Sequence, residues 1–319
     1  MKKLILLFLF ILISTYASSQ TLEENLQQVG PNYGKLYLQP LVDAMGTDVN
    51  SNFFYTAYVP FDSKKPVQFN IGLRFRAMNT FLSSVDQVFD YTYSDTLTVN
   101  GVRYSGAYSV ENAPTVIGNK TEAVAKFTSN GVYYPEFDLE LIGGIINTTL
   151  VPLVIPEITF GTVYGTDASI ILLPTIDLND LGKFRMFGFT LRHNFSHYVK
   201  DSPVDYSIMV GYQRMSLTEN NNNDLWKSKS FFINGQLSKT FGGIFTPYMA
   251  IQYEQFKADI SYIFNNFGQV FPVSFSVDGA TKFRGVLGAT VKAGFFAFNV
   301  DANLGEKFAL SCAFNFIIM

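Results

Sequence analysis

The sequence has little cysteine and little charge, and each shortage excludes a class of protein. Cys312 is the only cysteine in 319 residues, so neither an internal disulfide nor a cysteine-rich metal site can form. Charged residues make up 15% of the chain, against roughly 25% in an ordinary soluble domain. The net charge of −3 offers no large basic surface, which excludes nucleic acid as a partner.

Long apolar runs are also absent after the first twenty residues. The nearest candidate, residues 141–156, contains Asn147 and two prolines, so no transmembrane helix is predicted. The start, "MKKLILLFLFILISTYASSQ", places two lysines before an apolar run and small residues after it. This order predicts a cleavable signal peptide over residues 1–19. An N-terminal membrane anchor is the alternative, but the run is shorter than the ~20 residues of a spanning helix.

What the sequence does have is alternation with a period of two residues. In "FALSCAFNFII", residues 308–318, every second residue is apolar and the residues between are small or polar. Segments 67–78 and 295–304 alternate in the same way. This pattern predicts strands with one apolar face. The strands run for about 10–13 residues, longer than the ~5–6 of soluble proteins and close to the ~9–11 that cross a bilayer.

The sequence therefore predicts an all-β protein, a transmembrane antiparallel β-barrel of about 14 strands (12–14). Segments 84–93, 96–104 and 136–146 are counted among these strands. Since periplasmic turns are short and outer loops long in such barrels, Gly242–Gly243 is expected on the periplasmic side and Lys257–Thr281 in an outer loop. A soluble sandwich is the alternative.

Residues 20–50 precede the first clear strand and combine a short candidate helix with a Gly/Pro-rich stretch. They are the candidate plug, or hatch, folded inside the barrel. The predicted domains are thus the signal peptide, 1–19, the plug, 20–50, and the outer-membrane barrel, 51–319.

Three stretches carry a family resemblance: "GKLYLQPLVDAMGTDVNSNFFYTA", "FGTVYGTDASIILLP" and "FGFTLRHNF". Together they resemble an uncharacterised family of outer-membrane barrels from Bacteroidota-type bacteria. That family is similar to the long-chain fatty-acid transporter (FadL-like) group. The resemblance implies a 14-stranded, porin-like barrel with an N-terminal hatch, which passes hydrophobic ligands.

Several polar residues are predicted to face the lumen of the barrel. Arg74 and Arg76 share a strand face with Gln68 and Asn70. The two arginines could bind an anionic headgroup, although pairing with luminal acids such as Glu254 or Asp301 is favoured. The candidate ligand-binding or lumen-facing residues are Arg74, Arg76, Gln68, Asn70, Glu254 and Asp301.

The only two histidines lie in "LRHNFSH", residues 191–197. On a helix His193 and His197 could share a metal ion, but the alternation around them predicts a strand. Four residues along a strand span about 13 Å, so no metal site is predicted there. Ser196 and the histidines would lie on opposite faces, and no G-x-S-x-G or H-E-x-x-H motif is present. The sequence predicts neither an enzyme nor a cofactor.

Two main functional hypotheses remain. The first is a channel or transporter for hydrophobic or amphipathic, fatty-acid-like small molecules. The alternative is a structural, assembly or secretion-partner barrel without its own substrate, and an outer-membrane lipid hydrolase is a second alternative. The expected location is the outer membrane of a Gram-negative bacterium, and the expected partners are the lipid bilayer, the barrel-assembly machinery and hydrophobic small molecules.

Overall fold

A computed structural model describes residues 31–53, 56–59, 63–177, 182–199, 202–218, 224–266 and 269–318. The predicted signal peptide, 1–19, and residues 20–30 of the predicted plug lie outside this range. The elements are α1 (Pro31–Val49), β1 (Ile71–Phe81), β2 (Val88–Val99), β3 (Val102–Pro114), β4 (Ala123–Ser129), β5 (Val132–Tyr133), β6 (Leu139–Leu141), β7 (Leu150–Val163), β8 (Thr166–Asp177), β9 (Lys183–Asn194), β10 (Asp205–Thr218), β11 (Asp224–Ser238), β12 (Phe245–Asn266), β13 (Gln269–Asp278), β14 (Phe283–Ala293), β15 (Phe296–Leu304) and β16 (Phe308–Ile318).

Ten of these strands close into an antiparallel barrel. The order is β11-β10-β9-β8-β7-β1-β16-β15-β14-β12, and β12 pairs with β11 to close the ring. The predicted all-β antiparallel barrel is confirmed, but the predicted count of about 14 strands is replaced by ten. The strands predicted at 84–93, 96–104 and 136–146 do not belong to the barrel, because they pair with one another in a separate sheet.

The alternation in the sequence sets the two faces of the barrel wall. On β11, Phe231 and Ile233 are 41% exposed, whereas the intervening Phe232 is buried and Ser230 and Asn234 are 3% and 2% exposed. On β16, Leu310 and Phe314 are exposed and Ser311 and Asn315 are buried. The apolar side chains thus face outward and the small and polar ones face inward, opposite to a soluble core.

Tight turns gather at one end of the barrel, here named the short-turn end. Residues 164–165 join β7 to β8, residues 239–244 join β11 to β12, and residues 294–295 join β14 to β15. Gly242 and Gly243 both have positive φ, 57° and 71°, a backbone that glycine adopts without steric cost. The predicted tight turn at Gly242–Gly243 is confirmed.

The predicted outer loop over Lys257–Thr281 is wrong, because most of it is strand. β12 continues to Asn266, and β13 pairs with it. Ala258 and Ile260 are buried and alternate with Lys257 and the half-buried Asp259, so the period of two persists through the region. The chain also shows an Asp259–Ser276 hydrogen bond of 2.6 Å between the two strands.

The chain divides into two compact units. One contains the described residues of 42–81, 150–260 and 276–318, and with them most of the barrel; the other contains those of 31–41, 82–149 and 261–275. In the latter, β2, β3, β4 and β5 pair in that order and β6 pairs with β4. Aromatic rings pack across this sheet, with Tyr108 lying 5.0 Å from Tyr93 and 4.9 Å from Phe127 between ring centroids.

Candidate functional site in the barrel interior

The inner segment, residues 42–53 and 56–59, comprises the end of α1 and the extended chain after it. Over the described residues, it forms hydrogen bonds with side chains from eight of the ten barrel strands. The barrel partners are Arg74, Arg76 and Thr80 of β1, Arg192 and Asn194 of β9, Gln213 of β10, Ser230 and Ser238 of β11, Gln252 of β12, Arg284 of β14, Asn299 and Asp301 of β15, and Ser311 of β16. Since these side chains belong to the inward face, the inner segment lies inside the barrel.

Two asparagines of the inner segment connect it to different strands of the wall. The backbone carbonyl of Asn50 accepts a hydrogen bond from Gln252, at 2.9 Å. Asn52, with a positive φ of 55°, donates to Asp301 at 3.1 Å and to Ser311 at 3.2 Å. Asparagine tolerates this left-handed backbone better than most residues, so the sequence supports the turn that brings the Asn52 side chain to the wall.

Arg74 and Arg76 are buried and hold the inner segment by its backbone. Arg74 donates to the carbonyl of Phe53 at 2.8 Å, and Arg76 donates to that of Ser51 at 2.7 Å. Arg76 is fully buried, and its Nε lies 3.1 Å from Oε2 of the buried Glu157. Its guanidinium also lies 4.0 Å from the centroid of the Phe53 ring. A charge this deep is stable only when paired and hydrogen-bonded.

The acid that pairs with these arginines differs from the expected ones. Glu157 lies on β7 directly opposite Arg74 of β1, whereas Glu254 forms its ion pair with Arg284. Glu157 is thus the acid in ion-pair contact with both arginines, and a contribution of Asp301 beside them stays a prediction. Arg284 also donates to the carbonyl of Thr47, at 3.0 Å.

Asp301 is 4% exposed and accepts hydrogen bonds from Tyr248 at 3.0 Å and from Asn303 at 2.7 Å. Asn70 precedes β1 and lines the cavity described below. Gln68 lies two residues before Asn70, and its backbone N–H donates to the carbonyl of Thr162. A ligand-binding role for any of the six predicted residues stays a prediction.

Sequence reasoning did not single out Glu157, Arg192, Arg284 or the two asparagines. One signal for Glu157 was available, since it is the only acid in the apolar stretch "LVPLVIPEITF" of β7. A lone carboxylate in such a strand indicates an inward position with a cationic partner. No sequence signal connects the inner segment with its individual partners, because those contacts depend on the register of the closed barrel.

A cavity of about 580 Å³ lies between the inner segment and the short-turn end. Arg192 reaches its wall, where it forms an ion pair with Asp167 and donates to the carbonyl of Thr56. Lys292 and Asp205 also line it. Hydroxyl side chains form much of the remaining lining, namely Thr56, Thr159, Thr162, Ser169, Thr190, Ser202, Thr240, Thr246 and Thr290. The cavity wall thus combines hydroxyl and charged groups with apolar side chains such as Phe53 and Phe160.

A family model described as a family of unknown function, DUF6588, matches residues 1–318 of the chain. The chain belongs to this family. The prediction of an uncharacterised family is thus confirmed, while the similarity to fatty-acid transporters and the Bacteroidota origin stay predictions. Among curated proteins, none matches this DUF6588 chain.

Several solved outer-membrane proteins resemble the DUF6588 chain at low identity. An outer membrane channel from Pseudomonas putida F1 is 4% identical, with a TM-score of 0.38, over 84% of this chain and 99% of that one. Ail, the attachment invasion locus protein of Yersinia pestis, is 8% identical, with a TM-score of 0.27 over 79% and 100%. LpxR from Salmonella typhimurium is 9% identical, with a TM-score of 0.31 over 76% and 99%. These scores are low, and the barrel is established by the chain's own strand pairings.

The two histidines lie closer together than expected. β9 ends at Asn194, and residues 196–198 form a short 3-10 turn. The turn brings the ring centroids of His193 and His197 to 5.9 Å, so the predicted separation of about 13 Å along a strand is wrong. His193 lies within hydrogen-bonding distance of Thr166, with its Nδ1 2.8 Å from Oγ1.

Neither a metal cluster nor a spanning helix is found in the part of the chain that the structure describes. No three His, Cys, Asp or Glu side chains there are placed to hold a metal ion together. Among the same residues, no helix has both the length and the apolar character to cross a membrane.

We expect His197 to titrate below the ordinary histidine pKa of 6.5. Loss of hydration is the main cause that lowers its pKa, and the charge of His193 lowers the pKa further. The unfolded chain then binds the proton more readily, so His197 has no effect on stability well above pH 6.5 and destabilises the fold as the pH falls below it. An NMR titration of the labelled protein measures this midpoint.

His193→Gln is the matched control for this titration, since it removes the neighbouring charge. The midpoint of His197 should then rise towards 6.5, the reference value for histidine. A midpoint at or above 6.5 in the unsubstituted protein would contradict the folded turn.

Proposed function

We propose that this protein is an outer-membrane barrel whose lumen is closed by a resident plug, the inner segment, and that it anchors the sheet of β2 to β6 at the cell surface. The hydrogen bonds from the inner segment to eight strands carry this proposal. A loosely held plug would not need partners around most of the wall. The proposal corresponds to the structural alternative rather than to a transporter of fatty-acid-like molecules.

The outer face supports placement in a membrane. Large apolar side chains cover it along every barrel strand, a surface too extensive for a soluble monomer. Exposed rings mark both ends of the strands, as in barrels that span a bilayer. Those at the short-turn end are Tyr164, Tyr198, Phe241, Phe245, Phe295 and Phe296, and those at the far end are Phe81, Phe283 and Phe308.

The interior of the barrel does not favour the passage of a hydrophobic substrate. Buried charges cross it, including the Arg76–Glu157 and Arg284–Glu254 pairs. An apolar molecule passing there would have to separate or desolvate these groups, at a cost of several kcal/mol. For the hydrolase alternative, the hydroxyl of Ser196 accepts a hydrogen bond from the backbone N–H of Tyr206 at 2.7 Å, so this hydroxyl stabilises the turn.

A second candidate function is gated passage of a small polar solute, which the hydroxyl-lined cavity favours. Conductance in planar bilayers separates the two. The plugged barrel should give no steady open channel, while the double variant Asn50→Ala, Asn52→Ala should give frequent openings. A stable open conductance of the unsubstituted protein would refute the plug and favour passage.

The proposed anchoring of the sheet of β2 to β6 is tested on intact cells. The β2–β3 turn, Asn100–Gly101, has positive φ at both residues and is exposed, so a short epitope inserted there should be tolerated. We expect antibody to label the tagged, full-length protein without permeabilisation. Labelling only after permeabilisation would refute anchoring of this sheet at the cell surface.

A further inference from the structure

A row of basic side chains crosses the outward face of three neighbouring strands. Arg214 of β10 lies opposite Lys229 of β11, and Lys229 lies opposite Lys257 of β12. All three are exposed. Among the described residues, none of the three has an ion pair, while Lys227 at the edge is neutralised by Asp224 at 2.6 Å.

Arg185 of β9 extends this group. It is exposed, and its Nε donates to Ser216 of β10 at 2.8 Å. Ser216 lies two residues beyond Arg214 on the same face, which makes Arg185 and Arg214 diagonal neighbours. The basic cluster is therefore defined as Arg185, Arg214, Lys229 and Lys257.

Placing like charges directly opposite each other destabilises a sheet. The Cβ atoms of residues in such positions are about 4.5–5.5 Å apart, so two cationic side chains there repel each other. These two contacts are unfavourable in themselves, and the acids nearest to them are Asp259, opposite Lys227, and Asp278 of β13, which the register places across from Lys257. An anion between the side chains would remove this cost.

The position of the cluster along the strands indicates where such an anion would bind. Arg185 lies nine residues from the short-turn end of β9, Arg214 nine from that of β10, and Lys229 nine from that of β11. Nine residues cover about 30 Å of a strand. At a tilt of 35–45° this is about 23 Å along the barrel axis, close to the ~25 Å height of an apolar band.

The row next to the cluster, on the side of the short turns, fits this boundary. It contains Phe189, Tyr212 and Phe231, which are paired across β9, β10 and β11. Phe189 and Phe231 are 46% and 41% exposed. Aromatic rings gather at the level of the lipid headgroups, so the basic cluster lies where phosphate groups of lipids begin.

We propose that the basic cluster binds the phosphate groups of a lipid headgroup at the membrane surface opposite the short turns. This rests on the membrane placement in the proposed function but not on the plug. If the short turns are periplasmic, as in other barrels, this lipid belongs to the outer leaflet. Arginine offers a planar pair of donors to phosphate and lysine a mobile point charge, and both are present.

The test uses the full-length protein in detergent and bisphosphorylated lipid A as the probe. The triple variant Arg214→Gln, Lys229→Gln, Lys257→Gln should bind this lipid at least tenfold more weakly. The control variant Lys239→Gln, Lys292→Gln removes two exposed cations at the short-turn end and should bind normally. Binding to the unsubstituted protein should weaken as salt is raised.

Stability provides a readout that a misfolded variant cannot imitate. Without lipid the triple variant should resist denaturant as well as or better than the unsubstituted protein, because repulsion is removed. Lipid A should then stabilise only proteins with an intact cluster.

Three results would overturn the proposal: unchanged lipid binding by the triple variant, equal loss in the control variant, or stabilisation by inorganic phosphate as large as by lipid A. The last would assign the cluster to a free anion. Insertion into vesicles is measured on the same preparation. Failure to insert would refute the membrane placement, whereas insertion with unchanged lipid binding would refute the lipid site alone.

Discussion

Replacing Arg76 by alanine is expected to lower the free energy of unfolding by about 3–5 kcal/mol. The substitution leaves Glu157, 1% exposed, without the closest of its charged partners, and removes the donor that holds the carbonyl of Ser51. It also removes the cation above the ring of Phe53. The measurement is urea unfolding of the protein in lipid vesicles, followed by gel mobility without boiling.

Two further variants show whether the loss comes from the buried pair. Lys227→Ala breaks an ion pair in which the lysine side chain is 54% exposed, and should cost no more than about 1 kcal/mol. The double variant Arg76→Met, Glu157→Leu removes both charges and should cost less than Arg76→Ala alone. An Arg76→Ala loss no larger than that of Lys227→Ala would contradict the buried cluster.

Val300→Arg is expected to destabilise the barrel by about 2–4 kcal/mol, the cost of an arginine at the middle of a bilayer. Val300 lies four residues from each end of β15 and is 47% exposed. On a water-facing surface, arginine at an exposed site would be close to neutral. The same unfolding assay in vesicles therefore measures whether the outer face contacts lipid.

Leu304→Arg is the matched control, because Leu304 ends the same strand and is 50% exposed. Near the interface the cost of arginine falls to about 0–1 kcal/mol. Equal effects at Val300 and Leu304 would be inconsistent with a membrane around β15.

The alternation of residues allowed the barrel wall to be predicted but not the number of its strands. The alternating segment 308–318 coincides with β16, because the polarity of successive residues assigns them to alternate faces of the strand. Tyr91 and Tyr93 on β2 alternate with Thr92 and Ser94 just as well. Periodicity assigns a residue to a face, whereas the partner strand is decided by contacts distant in sequence.

The interior depended on such distant contacts and could be predicted only in part. The inward position of Arg74 and Arg76 followed from the period of two, since they alternate with Leu73 and Phe75. Their pairing with Glu157 required the register of β1 against β7, which no local pattern specifies. The basic cluster was not predicted, because its four residues lie on four separate strands and come together only through the register of β9 to β12.

The histidine turn was missed because side-chain chemistry ended β9 earlier than the alternation suggested. The carboxamide oxygen of Asn194 accepts a hydrogen bond from the N–H of Ser196 at 2.7 Å, an Asx-type contact that competes with strand pairing. Ser196 then accepts one from the N–H of Tyr206. The chain reverses there, and His197 returns towards His193.

An occupied lumen is tested most directly by a disulfide between the inner segment and the wall. The hydroxyl oxygens of Thr56 and Ser238 are 3.4 Å apart, so Thr56→Cys with Ser238→Cys, in a Cys312→Ala background, should place two thiols close enough to form a disulfide. Thr56→Cys with Leu237→Cys is the control, because Leu237 faces outward and is 44% exposed. In membranes from cells we expect near-complete thiol loss for the first pair and free thiols for the second. Free thiols in both pairs would show that the inner segment does not occupy the lumen.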